Sequence, residues 1–231
     1  MVTGRERHTG GRSTSGQSLG IRLSAFLILL GAVGCRTRPQ VTDRNGDGHI
    51  QLLCVGDSNT DNQGLADQPK WCELLAQRHP EWKVVDGAAR FAVAAGDCLL
   101  CGRTMLRSGL TSASPDVVLI ALGTNDIVSF RKPPEATVDA LLALRDQATA
   151  ANADVYVATI PPAYATYKDG SSPEPQIEAT NALLAQRLPA NRLMDFHSSL
   201  AKEDFAADGI HINRSGQEKL AAAADQALTS R

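Results

Sequence analysis

Three short polar clusters carry side chains that together could do acid–base and acyl chemistry. Gly56-Asp57-Ser58 offers a hydroxyl, Gly123-Thr124-Asn125-Asp126 a carboxamide, and Asp208-Gly209-Ile210-His211 an acid and an imidazole. Three positions apart, Asp208 and His211 can turn to the same side of one tight bend. The carboxylate then holds one ring nitrogen and leaves the other free to take a proton. A preorganised asparagine amide can donate to an oxygen that becomes negative in a transition state, a contribution of ~3–4 kcal/mol. Each cluster also has a plainer reading, because Gly, Asp, Asn and Ser are the ordinary residues of turns and helix caps. Of the other histidines, His8 lies near the amino terminus, His49 in an Asp/Asn/Gly-rich turn and His79 beside Pro80. His197, after the last apolar run, is the one serious competitor to His211.

The elements around these clusters alternate. Leu52-Leu53-Cys54-Val55 and Val117-Val118-Leu119-Ile120-Ala121-Leu122 are apolar runs that stop at the serine and asparagine clusters. Such runs are the mark of parallel strands covered by helices on both faces. Shorter strands are expected over Trp82–Val85, Val155–Ile160 and Arg192–Phe196. Helical spacing occupies Pro69–Arg78, Ala94–Arg107, Pro134 to about Ala151 and Glu174–Leu188. A last helix is expected from Ser215, with Ser215 and Glu218 at capping-box spacing, to Leu228. The pattern predicts an α/β domain of three layers, a flavodoxin-like five-stranded parallel sheet with helices on both faces. The first and third strands should lie side by side at its centre, with the crevice between their carboxyl ends.

The 231 residues are 43% hydrophobic, enough for one proper core, and the net charge of -2 provides no basic field for nucleic acid. Residues 1–35 read as a leader. Arg5, Arg7, Arg12 and Arg22 precede the apolar stretch Leu23–Gly34, too short for the ~20 residues that span a bilayer. Ala32-Val33-Gly34-Cys35 resembles a bacterial lipoprotein signal, in which Cys35 would be lipidated and anchor the chain to a membrane. A plain signal peptide and an uncleaved anchor are the alternatives, and all three place the domain outside the cytoplasm. Residues 36–49 read as a linker and 50–231 as the domain. Cys54, Cys72, Cys98 and Cys101 then remain, with three possible pairings that the sequence leaves open. Asp43, Asn45 and Asp47 match the first half of a calcium loop, but Cys54 stands where the bidentate glutamate belongs, which favours a solvated turn.

In that order and on those elements, the three clusters resemble the SGNH (GDSL-type) hydrolase family, over about Leu52 to Leu228. The resemblance implies Ser58 as nucleophile, His211 as general base, Asp208 as its orienting acid, and an oxyanion hole of Asn125 and the Ser58 amide. The family's further backbone donor is usually a glycine, and the aligned position holds Phe91; a backbone N–H does not need glycine if the local dihedrals tolerate a side chain. Phe91 or Arg90 could alternatively shape the acyl site. The implied reaction is hydrolysis of carboxylic esters with no metal or organic cofactor. Short connections and 4% aromatic residues favour small acyl groups, such as acetyl esters on carbohydrate, with Tyr164 or Tyr167 as candidate lining. A lysophospholipase- or thioesterase-type enzyme and a non-catalytic, pocket-bearing surface lipoprotein are the rival readings.

Overall fold

The computed structural model describes residues 41–61 and 68–229. The apolar stretch before Gly34, Cys35 and His8 lie outside the described residues, and no described helix is long and apolar enough to cross a membrane. In chain order the elements are β1 (Ile50–Gly56), α1 (Trp71–Arg78), β2 (Trp82–Asp86), α2 (Gly102–Ala113) and β3 (Val117–Ala121). There follow α3 (Thr124–Val128), α4 (Pro134–Ala150), β4 (Asp154–Ala158), α5 (Glu174–Arg187), β5 (Leu193–Met194) and α6 (Arg214–Thr229).

All strand pairs are parallel and the sheet order is β2-β1-β3-β4-β5, with β1 and β3 adjacent as expected. Right-handed crossovers decide which face each helix covers. The step from β1 out to β2 puts α1 on one face, and the later steps in the opposite direction put α2, α4 and α5 on the other. Strand alternation matches this division. Leu52, Cys54, Val117, Leu119 and Tyr156 pack with α1 and α6, whereas Leu53, Val55, Val118, Ile120 and Val155 pack with α2, α4 and α5. The chain reverses its winding between β1 and β3, so a crevice opens at their carboxyl ends.

Two boundaries differ from the sequence pattern. The helix expected from Ala94 begins only at Gly102. Ala94 and Ala95 give their N–H groups to the Asp126 carboxylate, and a Cys98–Cys101 disulfide closes a tight turn just before the helix. Nor does Ser215 cap the last helix: Asn213 Oδ1 accepts the Gly216 N–H, while the Ser215 hydroxyl donates to Asp204. The second disulfide joins Cys54 on β1 to Cys72 on α1, both buried.

Asp43, Asn45 and Asp47 spend side-chain oxygens on the N–H groups of Gly46, Gly48, Asp47 and His49. No group of three metal-ligating side chains occurs among the described residues. This turn is tied to the amino edge of the sheet by Asp116, whose buried carboxylate accepts from the backbone N–H of Arg44 (2.6 Å), Asn45 (3.1 Å) and Gln51 (2.8 Å). Removing the acceptor strands three donors, so Asp116→Ala should destabilise the domain by ~2–4 kcal/mol in urea unfolding without changing the site at the opposite end of the sheet. A loss below about 0.5 kcal/mol would show that water replaces the carboxylate freely.

Candidate active site

The turn after β1 begins where it must. A Cβ on Gly56 would lie 2.1 Å from Thr60 Oγ1, so only glycine lets the chain fold back immediately. Asp57 Oδ1 accepts the Asn59 N–H and its carbonyl accepts from Thr60 and Asp61, which pins the turn and presents Ser58. Across the crevice, Gly209 at φ +67 brings its backbone against that of Tyr164, where a Cβ would sit 2.8 Å from the Tyr164 carbonyl carbon. That bend carries Asp208 and His211.

The two segments meet in a continuous relay. Ser58 Oγ lies 3.1 Å from His211 Nε2, and His211 Nδ1 lies 2.6 Å from Asp208 Oδ2. Burial opposes ionisation of Asp208. Hydrogen bonds from His211 and from the N–H groups of Ile210 and His211 outweigh it and hold the carboxyl below its ordinary value. With the carboxylate on Nδ1–H, Nε2 is the acceptor facing the hydroxyl, the tautomer a general base requires.

Asn59 holds the two segments together and was not singled out from sequence. Its Oδ1 accepts the Ile212 N–H at 3.0 Å and its Nδ2 donates to the Ile210 carbonyl at 3.3 Å, so it grips the chain on both sides of His211. Gln217 of α6 donates to the Asn59 carbonyl and accepts from the Trp71 N–H. An Asn after Gly-Asp-Ser reads as turn chemistry, and nothing local reveals a partner more than 150 positions away.

Asn125 sits in α3 at the end of β3. One amide hydrogen of its Nδ2 goes to the Ala92 carbonyl at 2.9 Å, and the Ser129 hydroxyl lies 3.2 Å from its Oδ1. This fixes the carboxamide and leaves the second Nδ2 hydrogen available. Phe91 has φ +59, the left-handed conformation in which glycine is the usual residue, and the residue is 76% exposed. Among the described residues neither the Ser58 nor the Phe91 N–H is taken up by a hydrogen bond. Arg90 turns away toward Asp61, 3.8 Å distant.

Behind the serine lie two buried charged groups. Lys70, 2% exposed, donates from Nζ to the Ser58 carbonyl at 3.2 Å. Burial pushes its ammonium below the usual value, against the pull of the Asp57 and Asp61 carboxylates. Burial likewise pushes the Asp57 carboxyl up to about 6.

Beside the relay is a cavity of about 590 Å³ whose wall includes Phe130, Arg131, Tyr167, Lys168, Asp169 and Ile210. The Arg131 guanidinium lies 3.7 Å above the Tyr167 ring and pairs with Asp169 at 2.9 Å. Tyr167 therefore reaches the cavity, while Tyr164 stacks edge-on against Phe205. His197 binds Glu174 at 2.8 Å, and His79 stacks on Trp82 and pairs with Asp225. Neither belongs to the relay.

Asp57 generates a pH dependence with a definite sign. Its folded value, about 6, exceeds the ordinary carboxyl value of 3.8, so between them the folded chain holds the extra proton and stability falls as pH rises. Asp57→Asn keeps the acceptor for Asn59 and removes the charge. It should add ~1–3 kcal/mol at pH 8 and nothing below about pH 4 in urea unfolding. A pH-independent difference would contradict this account.

Residues 54–219 match the GDSL-like Lipase/Acylhydrolase family. Among solved structures, TesA is 27% identical, with 78% of this chain and 98% of that one covered and a TM-score of 0.62. A putative arylesterase from Agrobacterium tumefaciens is 22% identical (76% and 96% covered, TM-score 0.62). A carbohydrate acetylesterase family member from Sinorhizobium meliloti is 17% identical (78% and 99% covered, TM-score 0.61). The search of curated proteins found no match. With the family match running through all three polar clusters, the chain belongs to the GDSL-like lipase/acylhydrolase, or SGNH hydrolase, family and is an ester-hydrolysing enzyme.

Proposed function

We propose that the protein is a serine esterase that removes small acyl groups, acetyl above all, from carbohydrate through a Ser58-His211-Asp208 triad and an acyl-enzyme. The observation that carries this reading is the unbroken relay from Ser58 Oγ through the imidazole to Asp208 Oδ2, at 3.1 and 2.6 Å. Ser58 Oγ bonds to the ester carbonyl carbon while its proton passes to His211 Nε2. The oxyanion takes hydrogen bonds from the second Asn125 Nδ2 hydrogen and the Ser58 and Phe91 N–H groups. Collapse breaks the bond to the leaving alcohol, which receives the proton from His211. Water then repeats the sequence on the acyl-enzyme, and the acid leaves with Ser58 restored.

A small acyl group carried on a sugar fits the polar side chains Arg131, Thr166, Lys168 and Asp169 that the neighbouring cavity wall sets among apolar ones. The Arg131–Tyr167 stack provides a flat face for a sugar ring, with Lys168 and Asp169 at its edge for hydroxyl groups. A second reading, longer acyl chains of lysophospholipid or thioester type, draws on two exposed aromatic residues, Phe130 in the cavity wall and Phe91, 62% and 76% exposed. A non-catalytic binder would have no use for an aligned relay. Action outside the cytoplasm is supported by the two disulfides, which persist in oxidising compartments.

Ser58→Ala should lower turnover roughly 10⁴–10⁶-fold with the fold intact, and Asn125→Ala about 10²–10³-fold. Labelling by a fluorophosphonate probe should vanish in Ser58→Ala; activity surviving that substitution would end the assignment. Across p-nitrophenyl esters of rising chain length and acetylated glycans, kcat/KM should be highest for acetyl. A maximum at eight carbons or more would favour the second reading.

A further inference from the structure

The Asp126 carboxylate is completely buried and stands outside the triad. A buried carboxylate is tolerated only when hydrogen bonds and a counter-charge replace its water. Here the partners all lead to one place. Asp126 Oδ2 accepts the Ala94 N–H at 2.6 Å, Oδ1 accepts the Ala95 N–H at 3.1 Å, and Lys132 Nζ lies 3.1 Å from Oδ1. The same Lys132 Nζ donates to the Ala95 carbonyl at 3.0 Å, so Ala95 is gripped at both its N–H and its C=O.

Three residues upstream of Ala94 is Phe91, in a left-handed conformation that costs an L-residue on the order of 1 kcal/mol. Its ring is too exposed for side-chain packing to hold it there. Such a conformation persists only where its surroundings over-determine it. The surroundings include the backbone hydrogen bonds of Ala89 to Gly56 and of Ala92 to Ala89, and, from α3, the Asn125 amide on the Ala92 carbonyl and Asp126 on Ala94 and Ala95. Asn125 and Asp126 are consecutive in α3, so one short helix holds the same backbone segment at two points. The turn closed by the Cys98–Cys101 bridge holds the segment as well, the Val93 N–H donating to the Leu100 carbonyl at 3.2 Å and the Val93 carbonyl accepting the Gly102 N–H at 2.8 Å, so α3 and this turn grip it from separate elements.

We propose that Asp126, with Lys132, is a positioning residue for the oxyanion hole: by clamping Ala94 and Ala95 to α3 it sets the Phe91 N–H and the free Asn125 hydrogen on a common point. The inference rests on the esterase reading and adds residues that touch neither substrate nor the reacting atoms. Because the clamp matters where negative charge develops, its loss falls on kcat and spares KM. A carboxamide at position 126 keeps one acceptor and loses the charge that holds Lys132, so Asp126→Asn should retain part of what Asp126→Ala loses.

On p-nitrophenyl acetate, kcat should fall about 30–300-fold in Asp126→Ala, about 10-fold in Asp126→Asn and about 3–10-fold in Lys132→Met, with KM within threefold. Affinity for an aryl boronic acid, which forms a tetrahedral adduct on Ser58, should fall in step with kcat. Asp116→Ala, destabilised at the other end of the sheet, controls for general loss of stability and should keep both values. Amide hydrogen exchange should show Ala94 and Ala95 losing protection in all three variants. If Asp126→Ala does not fold, Asp126→Asn and Lys132→Met carry the test. Folded variants with kcat within twofold of wild type, or with boronate affinity unchanged, overturn the proposal. A wild-type protein that neither cleaves the esters nor takes the fluorophosphonate defeats the esterase reading instead. In that event unchanged protection at Ala94 and Ala95 would remove the clamp as well.

Discussion

The two-sided grip of Asn59 on the chain around His211 is the interaction on which the site depends. A hydroxyl on one strand end and an imidazole on a loop more than 150 residues later come within 3.1 Å only if the two backbones are locked in register. A carboxamide suits this because it presents a donor and an acceptor in one plane, as a peptide does. Asn59 acts as an extra length of strand, pairing with Ile210 and Ile212 and leaving His211 between them pointed at the serine. The remaining architecture delivers these pieces: the reversal of winding between β1 and β3 opens the crevice, and α6, fastened through Gln217, closes it from behind.

Much of what surrounds the crevice costs stability. Asp57 precedes the nucleophilic serine proposed here and Lys70 donates to that serine's carbonyl; both are buried charges, and burial disfavours the ionised form of each. Phe91 and Arg131 hold left-handed backbone without being glycine. Strain of this kind concentrates where a backbone group or a side chain must face a ligand, and the rest of the domain offsets it. The offset is visible in the two apolar layers on either side of the sheet and in the buried Cys54–Cys72 link between β1 and α1.

The backbone donor proposed at Phe91 illustrates how one requirement can be met with different chemistry. Glycine is common where φ is positive because it carries no Cβ, yet the functional group is the N–H, which every residue but proline has. Phe91 has the N–H, adopts a left-handed dihedral and is largely exposed to solvent. Phe130 and the Arg131–Tyr167 stack form a separate wall with aromatic faces and charged edges, which Ile210 joins to the bend carrying His211.

Alternating apolar runs and helical spacings were enough to read the parallel sheet, its central β1–β3 pair and the three polar clusters at strand ends, because those features follow from local periodicity and from the handedness of crossovers. The resemblance of the clusters to one hydrolase family followed from their order along the chain. Tertiary structure alone decided which cysteines pair, that α2 waits until Gly102, that Asn213 and not Ser215 caps α6, and that Asn59 and Asp126 are fastened to distant backbone. A turn-forming Asn or Asp has the same local signature whether its side chain meets water or a segment far along the chain. Only the folded arrangement of the backbone, in which burial removes the water, determines which partner it takes.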